Sequence, residues 1–305
     1  SSAASDVYKR QLYFSDGNNE IPTMEHVNPF RDIPCHKDIY YFYYVATKAG
    51  IIQQDDRSGI LCAMLLKWIR DGYVNFTMEP STGWFKKDKY EIDFSGEIPT
   101  ENILEEKMLG YFREASGDNQ ILENKEFERW CKRNYEEIED WFNDLIEFEE
   151  KELKEKGLMK KQTTYKKFLG IDIANEKVVY EPSFRDDIIY TKGLKRFLLD
   201  FSSIEEKEVI EVKLWEEYLM FASILGIADE VEKQIGKLCP EFNQYSNIDY
   251  TYTMLATRTF MYGGVRSAAN AYSAAHSSSY SGGGGFSSFG GGGGGFSGGG
   301  GGGSR

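Results

Sequence analysis

The sequence predicts a mainly α (α+β) protein with winged-helix-like units, small β-hairpins, a C-terminal helical domain and a disordered glycine-rich tail. Three observations support this fold class. Apolar residues recur at helical spacing through most of the chain. Two short alternating segments flank the turn signals of Pro80 and Gly83 and indicate a β-hairpin. From Ser277 onward the chain is almost entirely Gly, Ser and Phe, which is typical of flexible coil.

The first unit has the helix, helix, hairpin outline of a winged helix. Residues 38–50 are rich in aromatic side chains that favour strands, but the length of the segment and its final glycine favour a helix. Ser58 is placed to cap a second helix, which Gly72 ends. The hairpin strands are expected at 73–77 and 89–94. The second helix has an apolar stripe formed by Leu61, Met64, Leu65 and Trp68.

The same outline is expected to repeat in a second unit. A helix runs from Pro99 to about residue 115, and 117–124 is a linker. Helical periodicity then continues from 127 to 148, with a break near Asn134. Between 136 and 155 there are ten acids and two lysines, which predict a solvated outer face; a general acid or metal-binding face is the alternative. Two strand-like segments, "GLMKKQ" and "EKVVYEP", indicate an irregular second wing.

The last unit is helical. Ser183 with Asp186, and Ser203 with Glu206, have the spacing of capping boxes. Gly226 is expected to end the central helix in a left-handed conformation, and a short helix follows at 228–238. The stripe of the central helix consists of Leu214, Trp215, Tyr218, Leu219, Ala222 and Leu225.

These patterns divide the chain into six segments. They are a sequence artefact (1–11), an extended linker (12–37), a winged-helix-like unit (38–96), a second helical or winged unit with the acidic helix (97–182), a C-terminal helical domain (183–240) and a disordered Gly/Ser/Phe-rich tail (241–305). Within the tail, "AANAYSAAH" is compatible with a frayed helix.

Composition limits the classes of partner. The chain has 305 residues and a net charge of −13, so global electrostatics oppose non-specific binding to nucleic acid and to anionic membranes, although a local basic patch would override this. The four cysteines are scattered, which indicates reduced thiols in a cytoplasmic compartment. No apolar run reaches the length of a membrane-spanning helix.

Candidate catalytic and metal-binding residues are few. Cys35 and His36 put two soft ligands side by side, but adjacent residues seldom bind one ion without further ligands, so we expect a loop cysteine and a solvent-facing histidine. Cys131 lies beside Trp130 on an apolar stripe, which favours packing over nucleophilic catalysis. We therefore predict no metal, no cofactor and no enzymatic activity.

Nucleic-acid binding is the main alternative function. The hairpin carries a possible basic wing of Trp84, Lys86, Lys87 and Lys89. Lys67 and Arg70, however, lie at a helix C-terminus, where cations complement the helix dipole. The preceding "DDRSG" is acidic where base readout would be expected. The tail lacks the Arg–Gly–Gly repeats of RNA-binding regions, so we expect no nucleic-acid partner.

One stretch resembles a known family. The residues that carry the resemblance are Gly193, Trp215, Glu216, Tyr218, Leu219, Gly226 and Asp229, followed by the Ser/Phe/Gly-only terminus. They are similar to the C-terminal part of the YciQ-like family of predicted bacterial membrane proteins of unknown function. The resemblance implies an extracytoplasmic β-rich domain, transmembrane helices and a cytoplasmic C-terminal region, and it implies no activity. The motif residues are interpreted as structural.

This resemblance sets the functional expectation. Because 1–11 has the character of a translated cloning artefact, we expect the chain to be a fragment whose transmembrane segments are missing. The predicted protein is a cytoplasmic domain at the bacterial membrane that interacts with protein partners as a scaffold. The role of the tail is left open.

Overall fold

A computed structural model describes residues 11–52, 57–79, 89–123, 125–168, 171–200, 212–238 and 250–277. Helices dominate these residues and two three-stranded sheets accompany them, which confirms a mainly α (α+β) fold class. The described helices are α1 (Ile39–Lys48), α2 (Gly59–Arg70), α3 (Ile103–Ser116), α4 (Glu126–Arg133), α5 (Tyr135–Glu155), α6 (Pro182–Leu199), α7 (Val212–Ile224), α8 (Ala228–Leu238) and α9 (Tyr250–Ser277). The described strands are β1 (Tyr13–Phe14), β2 (Asn75–Glu79), β3 (Lys89–Asp93), β4 (Ile121–Glu123), β5 (Met159–Phe168) and β6 (Ile171–Tyr180).

The two sheets differ in topology. In the first, β5 and β6 form an antiparallel ribbon from the pair Met159–Tyr180 to the pair Phe168–Ile171, and β1 lies parallel to the base of β6. In the second, β2, β3 and β4 are antiparallel in that order. The predicted hairpin is therefore present. The segment at 117–124, which was expected to be a linker, instead contains β4, the third strand of this sheet. Leu122 of β4 pairs with Ile92 of β3, and both side chains are fully buried.

Helix α1 forms despite its strand-favouring composition. The side chain of Asp38 caps it by accepting hydrogen bonds from the backbone N–H groups of Tyr40 and Tyr41, at 2.9 and 3.2 Å. Seven of its ten residues are buried. The buried tyrosine hydroxyls are accommodated because they form hydrogen bonds with polar groups. The hydroxyls of Tyr44 and Tyr180, for example, lie 2.8 Å apart.

Helix α2 is the centre of the core. Ser58 occupies its N-cap position, but contrary to the prediction its side chain forms no capping hydrogen bond. Ten of its twelve residues are buried, so it has no solvated face of the kind an amphipathic helix presents. It packs against α7, α9 and α1. The approach to α7 is so close that an added Cβ at Gly59 would overlap the backbone carbonyl of Ser223.

The predicted break in the helical segment 127–148 is present, so that two helices, α4 and α5, form in place of one. They meet at Asn134, whose side-chain amide donates to the carbonyl of Trp130 at 3.0 Å. Helix α5 buries an apolar stripe, and most of its acids are exposed or half-buried, with Glu149 the buried exception. The buried stripe includes Ile138, Trp141, Phe142, Leu145 and Leu153.

The C-terminal helical unit follows the prediction except at the start of α6. Glu181 occupies the N-cap of this helix, no side chain caps it, and Ser183 lies within its first turn, so the predicted capping box of Ser183 with Asp186 does not form. Helix α8 has the expected bounds, and Gly226 ends α7 with a φ of 72°. The capping pair Ser203 and Glu206 lies outside the described residues.

The segment at 12–37 is extended, but the structure ties it to α6 and α7. The guanidinium of Arg196 donates to the carbonyls of Glu25 and Val27, at 2.8 and 2.7 Å. The hydroxyl of Tyr218 donates to the carbonyl of Arg31 at 2.9 Å. These bonds hold the segment as a strap across the C-terminal helices.

Helix α9 corrects the predicted tail, which was expected to be disordered from residue 241. The helix packs against α4, α2 and α5. Its buried stripe is helical in period but uses small and polar residues, so hydrophobicity alone does not reveal it. The buried residues are Thr253, Met254, Thr257, Phe260, Met261, Gly264, Val265 and Ala268. The glycine-rich stretch beyond 277 lies outside the described residues.

We predict that Gly193→Ala lowers the free energy of unfolding by roughly 1–3 kcal/mol, because overpacked positions have few ways to relax. An added Cβ would lie 2.7 Å from the carbonyl oxygen of Asn28, and the Gly193 carbonyl already accepts from the Phe30 N–H at 3.0 Å. Urea unfolding measures the effect. Gly110→Ala is the matched control, since its Cβ would meet nothing within 4 Å and should stabilise α3 by ~0.5–1 kcal/mol. Equal effects of the two changes would contradict a close approach at Gly193.

Candidate functional site

An open groove of about 630 Å³ lies between the start of α3, the second half of α5 and β5. Its apolar part is formed by Ile103, Leu104 and Phe148, and Ile103 is 51% exposed. The charged lining residues are Lys107, Asp144, Glu147, Glu150, Lys151, Lys154 and Lys161. An apolar strip framed by charged side chains is typical of a surface that receives a protein segment.

The charges along the groove are only partly compensated. Lys107 bonds to Asp144 at 2.6 Å, and this hydrogen bond raises the pKa of the lysine. Glu150 is paired with Lys48 at 2.9 Å. Among the described residues, Lys154 and Lys161 form no ion pair. The groove is therefore lined by two lysines and one carboxylate, Glu147, that form no ion pair among the described residues.

The groove walls are fixed by the core. The side chain of Asn102 caps α3 by accepting from the N–H groups of Leu104 and Glu105, both at 3.0 Å. The indole of Trp141 donates to the carbonyl of Leu104 at 2.9 Å, which joins the start of α3 to α5. The position of Ile103 relative to Phe148 thus depends on buried bonds and not on flexible surface side chains.

A fully buried carboxylate lies behind this wall. Glu105 accepts hydrogen bonds from the Tyr40 hydroxyl at 2.7 Å, from the ammonium of Lys67 and from the Glu101 N–H at 2.9 Å. Burial, followed by the charge of Glu105, raises the pKa of Tyr40 well above its usual range. Lys67, considered above for phosphate contact, is therefore part of a structural network that links α1, α2 and α3.

The Cys35–His36 pair forms an unusual turn. Cys35, His36 and Lys37 all have left-handed backbone angles, with φ of 58°, 55° and 59°, a conformation that bulky residues rarely adopt. His36 is exposed, whereas Cys35 is buried with its Sγ 3.8 Å from the Thr191 hydroxyl. In the described part of the chain, no three potential ligands come together as a metal site.

Burial keeps the described thiols protonated at neutral pH. Desolvation raises the pKa of Cys35 well above its usual range, and nearby Asp187 adds to this effect. Burial also raises the pKa values of Cys62 and Cys131. A thiolate nucleophile requires the opposite shift, so these positions behave as packing residues.

The structure describes one of the four residues of the predicted basic wing. Trp84, Lys86 and Lys87 lie outside the described residues. Lys89 is described, and its ammonium contacts Glu91 at 2.5 Å and Glu123 at 3.3 Å. A phosphate would have to compete with two carboxylates for this lysine, so its position gives the nucleic-acid hypothesis no support.

The motif residues that carry the family resemblance are distributed over α6, α7, the α7–α8 turn and the start of α8. Trp215, Tyr218 and Leu219 are buried. Glu216 is half-buried, and Asp229 at the start of α8 forms an ion pair with Arg258 of α9. Gly193 allows the chain at Asn28 to approach α6 closely, and Gly226 ends α7, as described above. None of these seven residues lines the groove.

The sequence analysis did not identify the groove. Its apolar part combines residues from two helices far apart in the chain, and Ile103 and Leu104 are only a short apolar pair in an otherwise polar helix start. One signal was present: Lys151 and Lys154 are the two lysines that interrupt the acidic run at 136–155, and both line the groove.

Comparison with known proteins identifies one segment. Residues 188–235, which run from α6 to α8, match a family model described as the C-terminal domain of a predicted membrane protein (DUF2207). This segment is thus similar to a domain of unknown function from a membrane protein family. No curated protein and no solved structure matches the chain.

Helices long and apolar enough to cross a bilayer are not found among the described residues.

We predict that Glu105→Ala lowers the free energy of unfolding by ~3–5 kcal/mol, because it removes the acceptor of the buried Tyr40 hydroxyl and leaves Lys67 with only the exposed carboxylate of Glu101 as a partner. Glu106→Ala is the matched control: this neighbour is exposed, and a change within ~0.5 kcal/mol is expected. Urea unfolding at neutral pH measures both variants. A loss no larger than that of the control would show that Glu105 does not hold the three helices together.

We predict that Glu149→Gln removes a pH dependence of stability. Desolvation, and then the charge of Asp38, raises the pKa of Glu149 from 4.5 to about 8. Between these values the folded chain holds a proton that the unfolded chain has released, so stability falls as pH rises, by at most ~1.4 kcal/mol per unit. In urea unfolding, the stability of the variant relative to that of the parent should increase from about pH 5 to about pH 8. The control is Glu147→Gln at an exposed position, which should show the same dependence of unfolding free energy on pH as the parent. The prediction is wrong if Glu149→Gln also shows the dependence of the parent.

Proposed function

We propose that the chain is a cytoplasmic, non-enzymatic domain of a membrane-anchored bacterial protein, and that it acts as a protein-interaction module. The observation that carries this proposal is the groove between α3, α5 and β5, with its exposed Ile103 and its uncompensated lysines. The match of residues 188–235 to a domain of a predicted membrane protein family supports the location at a membrane.

The lining of the groove defines the chemistry of the partner. Ile103 and Phe148 would receive one or two apolar side chains, which supply most of the affinity through loss of water-accessible apolar surface. Lys154 and Lys161 would pair with carboxylates beside them. The expected partner is a protein segment in which acidic residues flank an apolar residue.

The rest of the domain suits such a role. A net charge of −13 repels most acidic proteins at long range, so a segment that binds must do so through a local basic feature. The buried bonds behind α3 hold the apolar part of the groove in one geometry. A prepared groove binds more tightly than a flexible one because less conformational entropy is lost.

The test is site-specific photocrosslinking in native membranes. A photoreactive amino acid at position 103 should give one crosslinked product, and the same amino acid at Tyr262, which is 41% exposed and lies outside the groove, should not give that product. Adding Lys154→Glu and Lys161→Glu should reduce the yield at least about tenfold, since each reversal replaces attraction by repulsion.

The charge control is Lys132→Glu with Lys233→Glu, two exposed lysines on α4 and α8 that make the same change in net charge. This pair should leave the product unchanged. If both double variants lower the yield equally, the groove does not recognise the partner, and the proposal is wrong.

A further inference from the structure

The β5–β6 ribbon extends away from the core. Among the ribbon residues whose exposure is described, the buried ones are Met159, Val179 and Tyr180 at its base, whereas residues 160–165 are exposed and Tyr165 is 71% exposed. The ladder continues through ten pairs to Phe168 and Ile171. At about 3.4 Å per residue, Lys166 lies roughly 20–25 Å along the ribbon from Met159.

The charge of the ribbon is opposite to that of the chain. Strand β5 contains four lysines and no acid, and the two strands together contain five lysines and two acids. The Debye length is about 8 Å at physiological ionic strength, so the acidic body does not neutralise the distal lysines. The ribbon is therefore a local basic patch of the kind that would override the repulsion between the negatively charged chain and an anionic partner.

The register separates the charges between the two faces of the ribbon. Residues directly opposite each other share a face, and every second residue along a strand does so too. One face carries Lys160, Lys166 and Lys177 and no acid, because both Asp172 and Glu176 belong to the other face. We name this acid-free face the lysine face. Toward the far end of the ribbon it also includes Phe168, Ile171 and Ile173.

We propose that the lysine face binds the surface of an anionic phospholipid bilayer. Lysines in the headgroup region gain from the negative surface potential, and apolar residues beside them suit the boundary between headgroups and acyl chains. Nucleic acid shares the negative charge but offers no apolar layer for the far end of the face. The match of the neighbouring residues 188–235 to a domain of a predicted membrane protein family is consistent with a bilayer as the partner.

The experiment measures co-sedimentation of the whole chain with vesicles of phosphatidylcholine alone or with roughly 30% phosphatidylglycerol, at about 0.15 M salt. The chain should bind only the anionic vesicles, and high salt should release it. Each surface lysine contributes about fivefold, so Lys160→Glu with Lys166→Glu should weaken binding by at least about twentyfold. Both changes leave Lys161, which lines the groove, in place.

The control is again Lys132→Glu with Lys233→Glu, which should leave vesicle binding unchanged, and circular dichroism should show the same helix content for all variants. Three outcomes would overturn the proposal: no binding to anionic vesicles, equal binding by the ribbon variant and the parent, or tighter binding to a DNA duplex than to vesicles. Because Ile103 and Lys154 are untouched, a failed crosslinking experiment with normal vesicle binding would reject only the groove proposal.

Discussion

The complete burial of α2 is the constraint on which the rest of the structure depends. A helix with ten buried residues out of twelve must be covered from every side. Helices α1, α7 and α9 provide this cover, and they come from opposite ends of the chain. The absence of a side chain at Gly59 lets α7 approach within backbone contact. One hydrophobic core consequently extends from Phe14 to Ala268, and the groove and the ribbon both lie on its surface.

Elements with strong local signals were predictable. The break at Asn134, the left-handed Gly226 and the bounds of α8 all follow from helix periodicity and capping chemistry. Helix α9 was missed because its buried stripe uses Thr257, Gly264 and Ala268. These residues carry little hydrophobic signal, yet their small size lets α9 lie against α4, where a Cβ at Gly264 would come 2.5 Å from the Phe127 ring. Strand β4 was missed because its pairing is non-local. The groove was missed for the same reason: Ile103 and Phe148 meet only after α3 and α5 have packed.

Charge is distributed unevenly over the molecule, and this distribution links the two proposals. The acids lie on the outer faces of helices such as α5, where they favour solubility. Lys154, Lys160 and Lys161, which form no ion pair among the described residues, lie around the groove and along β5. Lys161 belongs to both, since it lines the groove from the base of the ribbon. The register places Lys161 on the face opposite the lysine face, so a bilayer bound along the lysine face and a partner segment in the groove would lie on opposite sides of the ribbon.

The packing of α9 changes where the folded unit ends. The family match stops at residue 235, and the composition of the chain suggests a boundary near residue 240. A shortened protein that ended there would expose Phe127 and Cys131, which α9 now covers at Gly264, together with one side of α2. Such a surface is apolar and would promote aggregation. A boundary after Ser277 keeps the core closed and removes only the glycine-rich stretch, so it is the natural limit for preparing the domain on its own.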